Sequence, residues 1–147
     1  MTLPFEIPGT VEAVVAAVDL RTGLALRNHL RRLRDRGDAL LALLFVTGHG
    51  QCDLLEYAGD RAAMPAPMPL VTSTVTSFET LPCVDSESRD AALLVVRLGR
   101  GWPTLGLALI TPARPAPELA DAMEECGARL EAALIGALAR RGRRGPA

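Results

Sequence analysis

From residue 40 to residue 46 the chain reads Leu-Leu-Ala-Leu-Leu-Phe-Val, apolar without a break. The run is far too short to span a membrane, which takes about 20 residues. It is the right length for a β-strand. A strand that is apolar at every position leaves no face for water, so other layers must cover it on both sides. The neighbouring segments must therefore supply both a sheet and its cover. Gly48 and Gly50 provide a turn, because glycine reaches positive φ without strain. Residues 52–58 then return as a second strand.

The rest of the chain divides in the same way. Residues 60–68 carry Pro65 and Pro67 and little bulk, which predicts a connector. Residues 70–78 alternate threonine, serine and valine, the β-branched pattern of a half-exposed third strand. Residues 82–89 form a polar loop. Residues 91–98 and 104–111 are two further apolar strands, joined by Gly-Arg-Gly-Trp-Pro, a hairpin loop by composition. Pro112, Pro115 and Pro117 then break the chain. Pro117 suits the first turn of a helix, where its missing amide costs nothing. Glu118 and Asp121 favour that positive end.

Helices are predicted at both ends. Residues 1–9, with two prolines, are an irregular lead-in. Thr10 can cap a helix in which Val11, Val14, Val15 and Val18 share a face, followed by Leu26, Leu30 and Leu33. The spacing predicts one long or kinked helix over residues 10–36, ended by Gly37. Its weak point is residues 19–24, where Gly23 costs about 1 kcal/mol against alanine. Two strands and a turn would fit the same valine-rich flanks. The closing helix runs to about residue 141. Leu119, Met123, Cys126, Leu130 and Ala133 form a heptad-like seam along it, suited to packing within the subunit or across a dimer. Residues 142–147 are a basic tail. The order of elements predicts a single α+β domain over residues 1–147. It is a five-stranded, mainly antiparallel sheet flanked by N- and C-terminal helices.

Composition narrows the function. The chain has 147 residues and a net charge of −1, which argues against a domain that coats nucleic acid. No charged start leads into an apolar stretch and a small-residue cleavage site, so a cytoplasmic chain is expected. Every basic residue is arginine; Arg27, Arg31, Arg32, Arg34 and Arg36 crowd one helix. Solvation accounts for such a face, and a partner would use it. Aromatic residues make up 3%, too few to line a pocket for a flat cofactor, so no cofactor is expected. His49 and Cys52 could share a metal, but a zinc site wants three or four protein ligands and no second pair exists.

Three stretches resemble the GAF domain. Ala-Leu-Leu-Ala-Leu-Leu-Phe-Val (39–46) with Cys-Asp-Leu-Leu-Glu-Tyr-Ala-Gly (52–59) looks like that family's first hairpin. Residues 91–110, with Gly106, look like its last hairpin, and Glu118 onward resembles its closing helix. The resemblance implies a GAF/PAS-like fold with a ligand pocket beside the sheet, which would draw on Thr72, Thr74, Phe78, Cys83 and Asp85. The chain departs from the family between Gly59 and Asp90, a short, proline-rich stretch where GAF domains usually carry short helices that roof the pocket. Asp19 to Arg27 also echoes the opening of GGDEF cyclase domains, without their signature. The roadblock family shares the opening pattern if residues 11–27 form a hairpin.

These features imply a stand-alone, non-catalytic sensory or regulatory module. It would bind a small ligand or a partner protein and act as a homodimer through Leu119, Met123, Cys126, Leu130 and Ala133. One rival is a thiol-based enzyme of the methionine sulfoxide reductase type, using Cys52 and Cys83, since some GAF-like enzymes do this chemistry. Another is an interaction domain with no ligand.

Overall fold

The computed structural model describes residues 10–48, 51–64, 75–81, 89–98, 104–112 and 117–143. The chain is α+β. Helices α1 (Val11–Ala17) and α2 (Leu20–Arg36) come first, followed by strands β1 (Leu41–Gly48) and β2 (Gln51–Gly59). A single 3₁₀ turn (Arg61–Ala63) leads towards β3 (Val75–Leu81), β4 (Arg89–Leu98) and β5 (Thr104–Thr111). Helix α3 (Glu118–Arg143) closes the fold. The sheet is antiparallel throughout, in the order β2–β1–β5–β4–β3.

The first helical segment is two helices, which rules out a hairpin over residues 11–27 and with it the roadblock alternative. The break falls at Val18 and Asp19, not at Gly23. Thr10 caps α1 through its hydroxyl, which accepts from the Ala13 amide at 3.2 Å. Asp19 then takes extended backbone angles, and its carboxylate accepts from the Thr22 amide at 2.8 Å. An aspartate that caps a new helix cannot also continue the old one. Gly23 lies inside α2 and is buried. The third strand, expected over residues 70–78, is described over Val75–Leu81 and ends three residues later than expected; residues 70–74 lie outside the described residues.

All three helices lie on one face of the sheet. Val14, Leu26, Leu30, Met123, Leu130 and Leu134 meet Leu44, Val46, Leu94, Leu107 and Leu109 in one buried cluster. Helices α2 and α3 run antiparallel. Gly37 at the end of α2 abuts Leu119 at the start of α3, and Arg140 near the end of α3 donates to the Thr22 hydroxyl at 3.3 Å. The other sheet face is equally apolar. Leu41, Leu43, Phe45, Val95 and Ile110 are buried there, with Ala63 and Met64 of the 3₁₀ turn packed on them. Strand β1 is buried at all eight positions, as its unbroken apolar run demands.

Candidate functional site: the flanks of the arginine helix

The charge pattern of α2 follows from its packing. Thr22, Gly23, Leu26, Leu30 and Leu33 form its buried stripe, so the arginines between them are pushed to either side. Gly37 ends the helix, and Arg34 and Arg36 sit in the last turn, where cations suit the helix dipole. Two arginine-lined depressions result, one on each flank.

The first lies between α2 and β2. Arg27, Arg31 and Arg34 form one wall, Tyr57, Ala58 and Gly59 the other, around an open cleft of about 350 Å³. Helix and strand run side by side here. Arg27 Nε donates to Glu56 at 3.1 Å, and the Arg34 stem packs where a side chain on Gly59 would stand. Seven residues of helix, about 10 Å, thus accompany three residues of strand, also about 10 Å. Glu56 is the pivot. Its Oε1 accepts from both Arg27 Nε and the Tyr57 amide, the latter at 3.0 Å. The carboxylate sits beneath Gly23, where an added Cβ would lie 3.3 Å from Oε2. Gly23 therefore gives α2 room to lie on a charged strand residue. Gly59 is fixed as firmly: its φ is +121°, and a Cβ would lie 2.3 Å from the Leu40 carbonyl. Arg34 pairs with its neighbour Asp35 at 3.1 Å. Arg31 has no acidic partner among the described residues.

The second depression lies between α2 and α3, beside His29, Arg32, Arg36, Cys126 and Arg129. Glu125 is shared by Arg36 at 3.6 Å and Arg129 at 3.1 Å. The Cys126 thiol donates to the His29 carbonyl at 3.6 Å. His29 Nδ1 is buried and meets no hydrogen-bond partner among the described residues. Burial, with Arg32 and Arg129 nearby, holds the imidazole below its ordinary pKa, so the ring is neutral at pH 7. This groove is narrow, about 50 Å³. A wider hollow of about 320 Å³ continues past Gly37 and Asp38 to the start of α3.

The two described thiols, Cys52 and Cys126, are not poised for nucleophilic work. Burial pushes Cys126 up to about 11, Arg129 pulling weakly the other way. Burial, then Asp53, raises Cys52 as well. A nucleophilic cysteine needs the opposite environment. Among the described residues, no three His, Cys, Asp or Glu side chains come together to hold a metal.

The residues expected from sequence fall as follows. Thr72, Thr74, Cys83 and Asp85 lie outside the described residues; Phe78 lies on β3 with its side chain not described. Leu119, Met123, Cys126 and Leu130 are buried in the subunit's own core, and Ala133 packs against it. Of the two packings the seam allows, Leu119, Met123, Cys126 and Leu130 show the one within the subunit. The sheet beneath α3 and the neighbouring α2 bury Leu119, Met123, Cys126 and Leu130, and Ala133 stays partly exposed. The α2 arginines were visible in the sequence, but Glu56, Tyr57 and Gly59 were not linked to them. The signals were present: a charged residue inside an apolar strand, and a glycine inside a helix.

No protein-family model matches the chain, and no curated protein matches it in sequence. No helix among the described residues is long and apolar enough to cross a membrane.

Proposed function

We propose that the chain is a non-catalytic sensory or regulatory module of GAF/PAS-like build, binding a small ligand or a partner protein and acting as a homodimer. The observation that carries this is the second sheet face. Leu41, Leu43, Phe45, Val95 and Ile110 are apolar and buried on the side away from all three helices. A two-layer domain with no further role leaves that side to water, with polar residues alternating along each strand. A GAF-like module uses the space beside its sheet for a ligand. The pairing of β1 with β2 and of β4 with β5, closed by α3 over the sheet, supports the same resemblance.

With most of the α3 seam internal, the most exposed large apolar side chains among the described residues are Leu20, 83% exposed, and Leu24, 50% exposed, one turn apart on α2. Val15 and Ile135 are exposed to a lesser degree. The rival thiol enzyme would use Cys52 and Cys83: burial and Asp53 raise the Cys52 thiol, the opposite of what a nucleophile needs, and Cys83 lies outside the described residues. Native mass spectrometry of the purified chain, with light scattering, tests the proposal. A dimer mass, or a small molecule retained through purification, is expected. A bare monomer at high concentration removes the homodimer and the retained ligand, leaving only the partner protein.

A further inference from the structure

The geometry points to the α2–β2 cleft as a docking site for an extended acidic peptide, which adds as a short strand to the outer edge of β2 and sets its carboxylates against Arg27, Arg31 and Arg34. This deepens the proposal of a partner-binding module and rests on it.

Three observations carry the inference. The first is the edge. Strand β2 is terminal in the sheet order, paired with β1 alone. The Asp60 amide donates to the Leu40 carbonyl at 2.9 Å, so that opposed pair is hydrogen-bonded. Antiparallel ladders alternate, so Gly59 and Tyr57 are the residues whose backbone groups turn outward. The Tyr57 amide confirms this by bonding to the Glu56 side chain rather than to β1. By this alternation the Tyr57 carbonyl lies on the outer edge, and the Gly59 backbone borders the cleft that both residues line. The irregularity opposite Leu44 and Phe45 leaves Leu55 unpaired and ends the open stretch on one side. The 3₁₀ turn after Asp60 ends it on the other.

The second observation is charge. Arg27 and Arg31 are one helical turn apart, about 6 Å along the axis. Alternate residues of an extended strand are about 7 Å apart. Two carboxylates at every second peptide position therefore match two arginines on the helix that runs alongside. A second copy of this chain does not fit, since its own cleft arginines would face these three. A nucleic acid offers no backbone ladder to the strand edge.

The third observation is Glu56. Its carboxylate already joins Arg27 Nε and an outward edge amide. The chain itself thus holds one carboxylate in the arrangement that a peptide carboxylate would extend to Arg31.

A fluorescein-labelled ten-residue peptide of alternating glutamate and valine tests this by anisotropy against the full chain. Saturable binding is expected. It should weaken at least about tenfold when glutamine replaces glutamate, and by a similar factor in Arg31→Glu. Arg21→Glu, the same charge change on α2 outside the cleft, should stay within about twofold. N-methylating the alternate amides that face β2 should abolish binding, whereas methylating the other set should not. The peptide changes leave the protein intact, so a misfolded variant cannot mimic the result. Absence of binding, equal loss in Arg21→Glu, or indifference to methylation in either register overturns the inference. So does stronger competition by single-stranded DNA or by phosphatidylserine vesicles, which would make the surface a general polyanion site. If the peptide fails while native mass spectrometry still shows a dimer or a retained ligand, the module proposal stands without this partner.

Discussion

Gly23 and Glu56 should be coupled, and the coupling sets the sign of a substitution that otherwise looks simple. Replacing a helical glycine by alanine stabilises by about 1 kcal/mol through backbone entropy. At Gly23 the added Cβ would stand 3.3 Å from Glu56 Oε2, closer than such atoms ordinarily rest. The carboxylate cannot move freely, because Oε1 is held by Arg27 Nε at 3.1 Å and the Tyr57 amide at 3.0 Å. Hydrogen bonds to a charged group are worth about 1.5–3 kcal/mol when sheltered. Here that figure is reduced, since the Arg27 side chain is about half exposed and screened by water. Losing part of the pair still cancels the alanine gain. Gly23→Ala should therefore leave the melting temperature near that of the parent chain. In a Glu56→Ala background the obstacle is gone, and the same change should raise it by about 2–4 °C, the value of about 1 kcal/mol in a domain of this size. The assay is a double-mutant cycle followed by circular dichroism, with an expected coupling near 1 kcal/mol. Equal increases in both backgrounds would show that Glu56 does not press on Gly23, and the packing of α2 on β2 would need another explanation.

Gly59→Ala should destabilise by more than about 3 kcal/mol, as it combines a positive φ with a Cβ 2.3 Å from a backbone oxygen. A urea midpoint near that of the parent chain would contradict this. Leu130→Ala, at a fully buried site, should cost about 2–5 kcal/mol; a shift below 1 kcal/mol would place Leu130 nearer the surface. Cys126 should resist a thiol reagent at pH 7.5 until the chain unfolds. Its folded pKa of about 11 lies above the unfolded value near 9, so its contribution is intact below pH 9 and lost as pH rises to 11. The urea midpoint should fall across that window, and less steeply in Cys126→Ala.

Much of the fold could be read from periodicity because burial dictates it. The unbroken run in β1 required cover on both faces, and both are buried. The stripe along α3 showed which side meets the sheet. What stayed hidden depended on partners distant in sequence. A seam of Leu119, Met123, Cys126 and Leu130 looks the same whether it meets another helix of the same chain or a second copy; only the antiparallel placement of α2 decides. Propensity marks residues 19–24 as the weak point of one long helix; Asp19 makes the break there by capping, and Gly23 answers to Glu56 across 33 positions. The cleft itself joins residues about 30 positions apart. No local pattern in either segment reports that they run side by side.

The two candidate surfaces make different demands on the fold. The apolar face carrying Phe45 and Ile110 is buried at every position named here, so a ligand there would be held by packing against those side chains. The α2–β2 cleft stands open, with Arg31 meeting no acidic partner among the described residues, and binding there leaves the core as it is. The two surfaces share β2, however. Leu55 packs on the helix face, and Cys52, Leu54 and Tyr57 edge the other cluster. A strand added at Tyr57 and Gly59 would stiffen the rim of the second face, and a ligand lodged in that face would shift the edge on which the strand docks. Strand β2 is thus the element through which any coupling between the two proposed sites would pass. Such coupling would be reciprocal: whatever factor the ligand imposes on peptide affinity, the peptide must impose on the ligand.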